Sequence, residues 1–317
     1  MKILILSWIL RKHSTRQHLG TLDRLKEHCE CHIYGRDDLE PYKEKLQDKF
    51  MELFNVHRPD VVIGYAGMYL MDQGNLFRDM KNCLKLFIEV DYHDQMGKEQ
   101  WYTDNKFDHM FYRNANDTSA VKIPGCWWPW SCYEDEFYDV PFVPRQNIIG
   151  FAGSSVHRIY TVRRKARDIL LAHGLLDDRK KTILQTEYDE NGKWTGQNGK
   201  YQEYLRSIEG LLTSTENRGP FAKTFEAMSS RTVVLSSPII NKELLFGKKQ
   251  CYVEYKYNCS DIVEKAKFIL ENDMKQIKEN AYIAFIGNHT TDLRAKELYN
   301  NIVRLIEGKE VIRKWGL

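Results

Sequence analysis

No apolar run in this chain approaches the length needed to cross a bilayer. The longest, Ile3 to Leu10, contains Ser7 and ends in Arg11-Lys12. The start of the chain also lacks the basic leader and small-residue cleavage site of a secretory signal, so a cytoplasmic protein is expected. Cysteine is present but unorganised: the seven are an odd number, scattered, and never spaced C-x-x-C. That excludes a disulfide framework and fits reduced thiols. Charge of one sign is missing too. A formal net charge of +3 over 317 residues, with pI near 8.3, makes no global polyanion binder, so any basic surface must be local. A metal centre has one place to form, His28-Cys29-Glu30-Cys31-His32. Strand alternation there puts the cysteines on one face and the histidines on the other, so no metal is expected.

What is present is core-forming material, 42 % hydrophobic and 12 % aromatic residues, enough for two domains of ordinary size. Strands are expected at Lys2–Ser7, Glu30–Tyr34, Asp60–Tyr65, Leu84–Val90 and Asp108–Tyr112. They alternate with helix-length segments, one of which shows a helical period through Leu46, Phe50, Leu53 and Phe54. The stretch from Trp127 to Pro144, rich in proline, aromatic and acidic residues, breaks the rhythm. A second set of strands follows at Asn147–Ala152, Lys181–Thr186, Leu211–Thr213, Thr232–Leu235 and Cys251–Glu254, with an exposed loop at 188–200. The tail is helical from Ser260 to about Glu307, with Asp261, Asp273 and Asp292 near the helix starts. Alternation of this kind predicts an α/β chain of two Rossmann-like domains facing a cleft. The expected boundaries are 1–127, a linker over 128–146, a second domain over 147–306 and a tail over 307–317. There is no internal repeat beyond the two sheets and no low-complexity tract.

The most informative stretch is LLTSTENRGPFAKTFEAMSSRTVVLSS, from Leu211 to Ser237. It reads as strand, polar Gly-Pro turn, helix around Glu226, and second buried strand. Gly219 permits close backbone approach, Pro220 suits a first helical turn, and the N–H groups opening the helix make an anion site. Glu226 follows about two turns later, where a carboxylate reaches past phosphates toward ribose hydroxyls. This stretch resembles the nucleotide-sugar site of group 1 glycosyltransferases of the GT-B fold, whose pattern is an acidic Gly-rich turn, a Phe/Leu-Glu-Ala-Met helix and a small-residue strand. Phe151-Ala152-Gly153-Ser154-Ser155 with His157-Arg158 is similar to the element opening the family's second domain. Cys126 to Trp130 is similar to its interdomain crossing, and Asn288-His289-Thr290 with Arg294 to its late helix. The first domain matches only in architecture.

The resemblance implies a hexosyltransferase using a nucleotide sugar, UDP-linked, as co-substrate and no separate cofactor. Glu226 then binds the ribose, while Gly153, Ser154 and Gly219 cradle the diphosphate with Arg158. Arg218 and Lys223 neutralise charge on the departing group in place of a metal. The family's acidic pair has seven residues between its glutamates; Glu216 and Glu226 have nine, and Glu216 is either a contact to the donor sugar or a loop carboxylate. The acceptor side is expected at the first domain's strand ends. Arg11, Lys12, His13, Arg16 and His18 follow the first strand with hardly any acid, Tyr65 ends the third, and Asp91, His93 and Asp94 follow the fourth. His93 has a pKa suited to proton transfer, with a carboxylate beside it to hold its tautomer; it is either a catalytic group, a contact to the donor sugar, or a loop histidine. Trp127, Trp128 and Trp130 either pack between domains or stack a sugar or base. The expected function is sugar transfer to an anionic acceptor, either DNA with a hydroxylated base, as in virus-type enzymes, or an acidic glycan or lipid-phosphate. The alternatives are a non-catalytic binder of nucleotides or polyanions and a nucleotide-sugar 2-epimerase.

Overall fold

Apolar runs of the length expected for doubly covered strands build two parallel sheets. A computed structural model describes residues 1–7, 20–65, 70, 74–89, 99–115, 122–132, 144–152, 160–177, 200–216 and 219–316. The first sheet has the order β2-β1-β3-β4-β5-β6, with β1 Lys2–Ser7, β2 Glu30–Tyr34, β3 Val61–Tyr65, β4 Leu84–Glu89, β5 His109–Tyr112 and β6 Gly125–Trp127. Every pairing is parallel, from Ile3↔Val61 to Tyr112↔Trp127. Such a sheet must be covered on both faces, and Ile3 to Leu6 and Val61 to Ile63 are fully buried. Helix α1 (Leu46–His57) turns Leu46, Phe50 and Leu53 onto Leu4, Val62, Phe77 and Phe87. The short helix α2 (Glu99–Asp104) adds Trp101 and Tyr102 to the same core. Gly64 is required by this packing, because a Cβ there would lie 2.6 Å from the Phe87 ring.

The second sheet has the order β11-β10-β9-β7-β8, again all parallel, from β7 Gln146–Phe151, β8 Leu176–Asp177, β9 Ile208–Leu212, β10 Val233–Ser236 and β11 Val253–Glu254. Helices α3 (Thr161–Ala172) and α7 (Ile262–Glu271) cover one face, packing Ala166, Leu170, Ile262, Ala266 and Ile269 on Ile149, Leu212, Val233 and Leu235. Strand alternation then turns Leu211 and Val234 to the opposite face, where α4 (Lys200–Ser207) and α5 (Ala222–Ser229) pack on β9 and β10. Two further helices of this unit are α6 (Lys242–Phe246) and α8 (Lys275–Asn288).

Contacts divide the chain into Met1–Pro129 with Thr291–Leu317, and Trp130–Thr290. This differs from the expected boundaries at the C-terminus. Helix α9 (Thr291–Ile306), read as part of the second domain, packs on the helical segment Gly20–Glu27 of the first unit, with Arg24 Nε 2.9 Å from Asp292 and His28 stacked on Tyr299. The tail continues that packing: Trp315 is buried and donates its indole N–H to Glu297 at 2.8 Å. Where the chain leaves the first unit, the carbonyl of Pro129 accepts from Arg113 Nη1 at 3.0 Å and from Arg294 Nε at 3.2 Å. Arg294, expected in the second domain's late helix, thus serves the first unit. Within the second unit, the amide of Cys132 donates to the carbonyl of His289 at 3.2 Å.

Two strands escaped the sequence reading. β6 lies in the segment read as a crossing, and β8 is two residues long. Trp127 and Trp128 are buried against Arg113 and Phe111 of the first unit, and Trp130 is buried as well. The expected strand at Lys181–Thr186 lies outside the described residues.

Candidate functional site

Open parallel sheets bind ligands at the carboxyl ends of their strands. In the second unit those ends carry neutral hydroxyls: Thr213, Ser214 and Thr215 after β9, and Ser236 with Ser237 at β10, all at least 95 % buried. Ser237 Oγ accepts the amide of Thr215 at 3.0 Å, and Thr215 Oγ1 donates to the carbonyl of Pro238 at 2.8 Å. Thr213 Oγ1 and Ser236 Oγ are buried with no hydrogen-bond partner among the described residues. Both continue the alternation that turns Leu211 and Val234 toward α4 and α5. Buried hydroxyls of this kind are costly unless a ligand or water completes them.

Gly219 adopts φ of +92°, a conformation open to glycine and strained for other residues, and so turns the chain into α5. The helix begins at Ala222 with Phe221 as N-cap. Pro220 therefore precedes the N-cap and is not in the first turn as expected: the extended Phe221 intervenes. On α5 only Lys223 is partly exposed; Phe225, Ala227 and Met228 are buried, and Phe225 stacks on His289 at 4.4 Å between centroids.

Glu226 is 4 % exposed, with its Oε2 accepting the hydroxyl of Tyr201 at 2.7 Å. Burial, and then the neighbouring carboxylate, push the Tyr201 phenol well above its usual range, which keeps it a proton donor. Lys223 completes the cluster, its Nζ 4.8 Å from the centre of the Tyr201 ring and 3.4 Å from the hydroxyl. A buried carboxylate oriented by a phenol, one turn from an ammonium, can hold a hydroxylated anion: hydroxyls on the carboxylate, negative charge on the lysine. Tyr201 was missed by sequence reasoning, which ended an exposed loop at its doorstep. Its only signal was a tyrosine at helical spacing from Leu205.

Glu216 has a different task from the expected one. Its carboxylate accepts the amides of Arg163 at 2.9 Å and Val162 at 3.4 Å, and the hydroxyl of Ser214 at 3.0 Å. It therefore caps α3, whose first turn has no acid and whose first two turns hold Arg163, Arg164, Lys165 and Arg167 against the helix dipole. A carboxylate so engaged serves as a helix cap.

In the first unit β4 and β5 end in buried charge, while β1 and β3 end on the buried hydroxyl side chains of Ser7 and Tyr65. Glu89 at the end of β4 is fully buried and accepts the hydroxyl of Tyr102. Arg113, just after β5, is fully buried with its guanidinium 3.8 Å from the centre of the Trp128 ring. Burial lowers its pKa to about 10, opposed by Tyr65. Tyr65, expected to meet an acceptor, is itself fully buried against this arginine and belongs to the core. Among the described residues no group of three or more His, Cys, Asp or Glu side chains could hold a metal, and no helix is long and apolar enough to cross a membrane. Arg11, Lys12, His13, Arg16, Asp91, His93, Asp94, Gly153, Ser154, Arg158 and Arg218 lie outside the described residues.

Compared by sequence, the chain matches no family model and no curated protein. Solved structures do match along its whole length. Sucrose-phosphate synthase from Thermosynechococcus elongatus superposes with a TM-score of 0.67 at 10 % identity, covering 98 % of this chain and 100 % of that one. A glycosyltransferase from Rickettsia africae gives 0.57 at 12 % identity, covering 96 % and 99 %. The UDP-GlcNAc 2-epimerase of Methanocaldococcus jannaschii gives 0.51 at 11 % identity, covering 97 % and 100 %. At such identities the likeness is one of fold. The chain thus has the architecture of GT-B glycosyltransferases, an α/β fold of two Rossmann-like domains.

Proposed function

We propose that the chain is a nucleotide-sugar-dependent glycosyltransferase whose donor sits at the carboxyl ends of β9 and β10. The observation that carries this reading is Glu226, a buried carboxylate held by Tyr201 beside Lys223 on a helix that rises from hydroxyl-lined strand ends. In this reading Glu226 accepts the ribose hydroxyls, and Gly219 with the first amides of α5 faces the diphosphate. Lys223 and Arg218 stabilise charge on the leaving group, so the bond from sugar to diphosphate breaks without a metal. Gly153, Ser154 and Arg158 complete the phosphate cradle. The acceptor hydroxyl comes from an anionic partner, DNA with a hydroxylated base or an acidic glycan or lipid-phosphate, met by Arg11, Lys12, His13 and Arg16. Asp91, His93 and Asp94 are the groups proposed to handle its proton.

The epimerase among the structural neighbours supports a second reading, in which a UDP-sugar enters the same site and no acceptor is needed. The test is incubation with labelled UDP-, ADP- and GDP-sugars, with and without hydroxymethylated DNA and acidic glycans. Transfer of label to an acceptor, with release of the nucleoside diphosphate, is the expected result. A 2-epimer formed without acceptor would establish the second reading, and binding without any turnover would leave a non-catalytic receptor.

A further inference from the structure

Among the described residues the two sheets follow one strand pattern, second-first-third-fourth-fifth, but the first adds a sixth strand where the second stops. In the first sheet the fifth strand, β5, is flanked by β6. The corresponding fifth strand of the second sheet, β11, is an edge, and along it runs a groove of about 640 Å³. Helix α6 and the turn after it form one wall, and α7 the other, with Lys242, Lys248, Lys249, Lys265 and Phe268 among the lining side chains.

We infer that this groove is the seat of a sixth strand supplied in trans, an extended acidic peptide segment of a partner protein. Three observations fix the occupant. The first is backbone polarity: the amide of Tyr255 donates to Ser236 at 2.9 Å, so β11 turns alternate residues toward β10. The N–H and C=O of Glu254, between them, face the groove, which is what strand addition uses. Shape is the second. A recessed edge between two helices receives a single strand, whereas a second copy would bring an equally recessed edge and fail to reach.

The third is charge. Lys242 pairs with Glu254 at 3.1 Å and Lys265 with Glu264 at 3.1 Å. The exposed Lys248 and Lys249 form no ion pair with the described residues. They stand on the turn that Gly247 makes at φ of +74°. Set against Glu243, the remaining lining acid, they leave the seat one positive charge in excess, which favours carboxylates in the incoming segment. Phe268, 41 % exposed, offers an apolar contact to the side chains alternating with those acids.

The probe is a synthetic heptapeptide of alternating aspartate and valine, titrated against the full chain by calorimetry, with amide hydrogen exchange followed in parallel. Expected are saturable binding below millimolar, slowed exchange at the Glu254 amide, and a loss of at least about tenfold in the Lys248→Glu/Lys249→Glu double variant, whose exposed positions leave folding untouched. N-methylation of one alternate set of peptide amides should abolish binding, and of the other set should preserve it. Equal binding of both methylated peptides, or equal competition by inorganic triphosphate, would reduce the groove to an anion site and overturn the inference. So would absence of binding at millimolar peptide, which would make these lysines a guard against edge pairing. A concentration-dependent dimer dissolved by the double variant would give the seat to a second copy instead. None of these readouts depends on donor binding or sugar transfer.

Discussion

The two sheets share a strand order and differ in what they carry at their carboxyl ends. The first carries buried charge at two of them, Glu89 held by Tyr102 after β4 and Arg113 stacked on Trp128 after β5. The second ends in neutral hydroxyls from Thr213 to Ser237, two of them without partners among the described residues. Buried charges must be matched inside the fold, so they lock their surroundings. Short buried hydroxyls without partners carry a cost that a polar ligand or a water relieves, so they stay receptive. One strand pattern thus yields ends with internally matched charge and ends with unmatched hydroxyls, and the side chains at its last residues make the difference.

The largest effect should come from a charged end. Arg113→Ala removes a fully buried, stacked and hydrogen-bonded side chain and should cost about 3–5 kcal/mol in urea denaturation followed by tryptophan fluorescence. A cost below about 1 kcal/mol would mean the charged end locks nothing.

Next comes the opposite end of the same strand. His109, at the start of β5, is buried, and desolvation, aided by Arg313, lowers its pKa to about 4. The unfolded chain takes up this proton near pH 6.5 while the folded one resists until about 4. The stabilisation is whole above pH 6.5 and is lost progressively as pH falls through that window. The total is about 3 kcal/mol. His109→Gln should flatten the stability profile between pH 6.5 and 4; an unchanged profile would assign the acid sensitivity elsewhere.

At the receptive end, Glu226→Gln should keep the acceptor for Tyr201 and leave the melting temperature within a few degrees. Donor affinity should fall about 10- to 150-fold, the worth of roughly 1.5–3 kcal/mol for a charged hydrogen bond. Glu226→Ala is the poorer probe, because it strands the Tyr201 hydroxyl in the core. Normal nucleotide-sugar affinity in the folded glutamine variant would move the donor site away from α5.

The smallest stability effect is expected at Thr213→Val, under about 1 kcal/mol, since the hydroxyl removed has no partner to lose among the described residues. Its signature should be weaker donor binding instead. A destabilisation as large as that of Arg113→Ala would erase the contrast between the two strand ends.

The sequence alone determined the strands long enough to show a pattern. Lys2–Ser7 was legible to the residue, because a run buried on both faces leaves no ambiguity, and so was Glu30–Tyr34, although it is a partly exposed edge strand. It also determined the helix bearing Glu226, through the turn at Gly219 and the small-residue strand beyond. Tertiary structure decided which partner each surface meets. The apolar stripe of α9 says that the helix is buried, and not that the first unit buries it. β6 and β8 are too short to carry a period. Glu216 became a helix cap because Arg163, 53 residues earlier in the chain, presents its amide there, and Tyr201 met Glu226 across 25 residues. Local patterns record a residue's exposure, whereas hydrogen bonds between distant residues exist only once the sheet has brought their strands together.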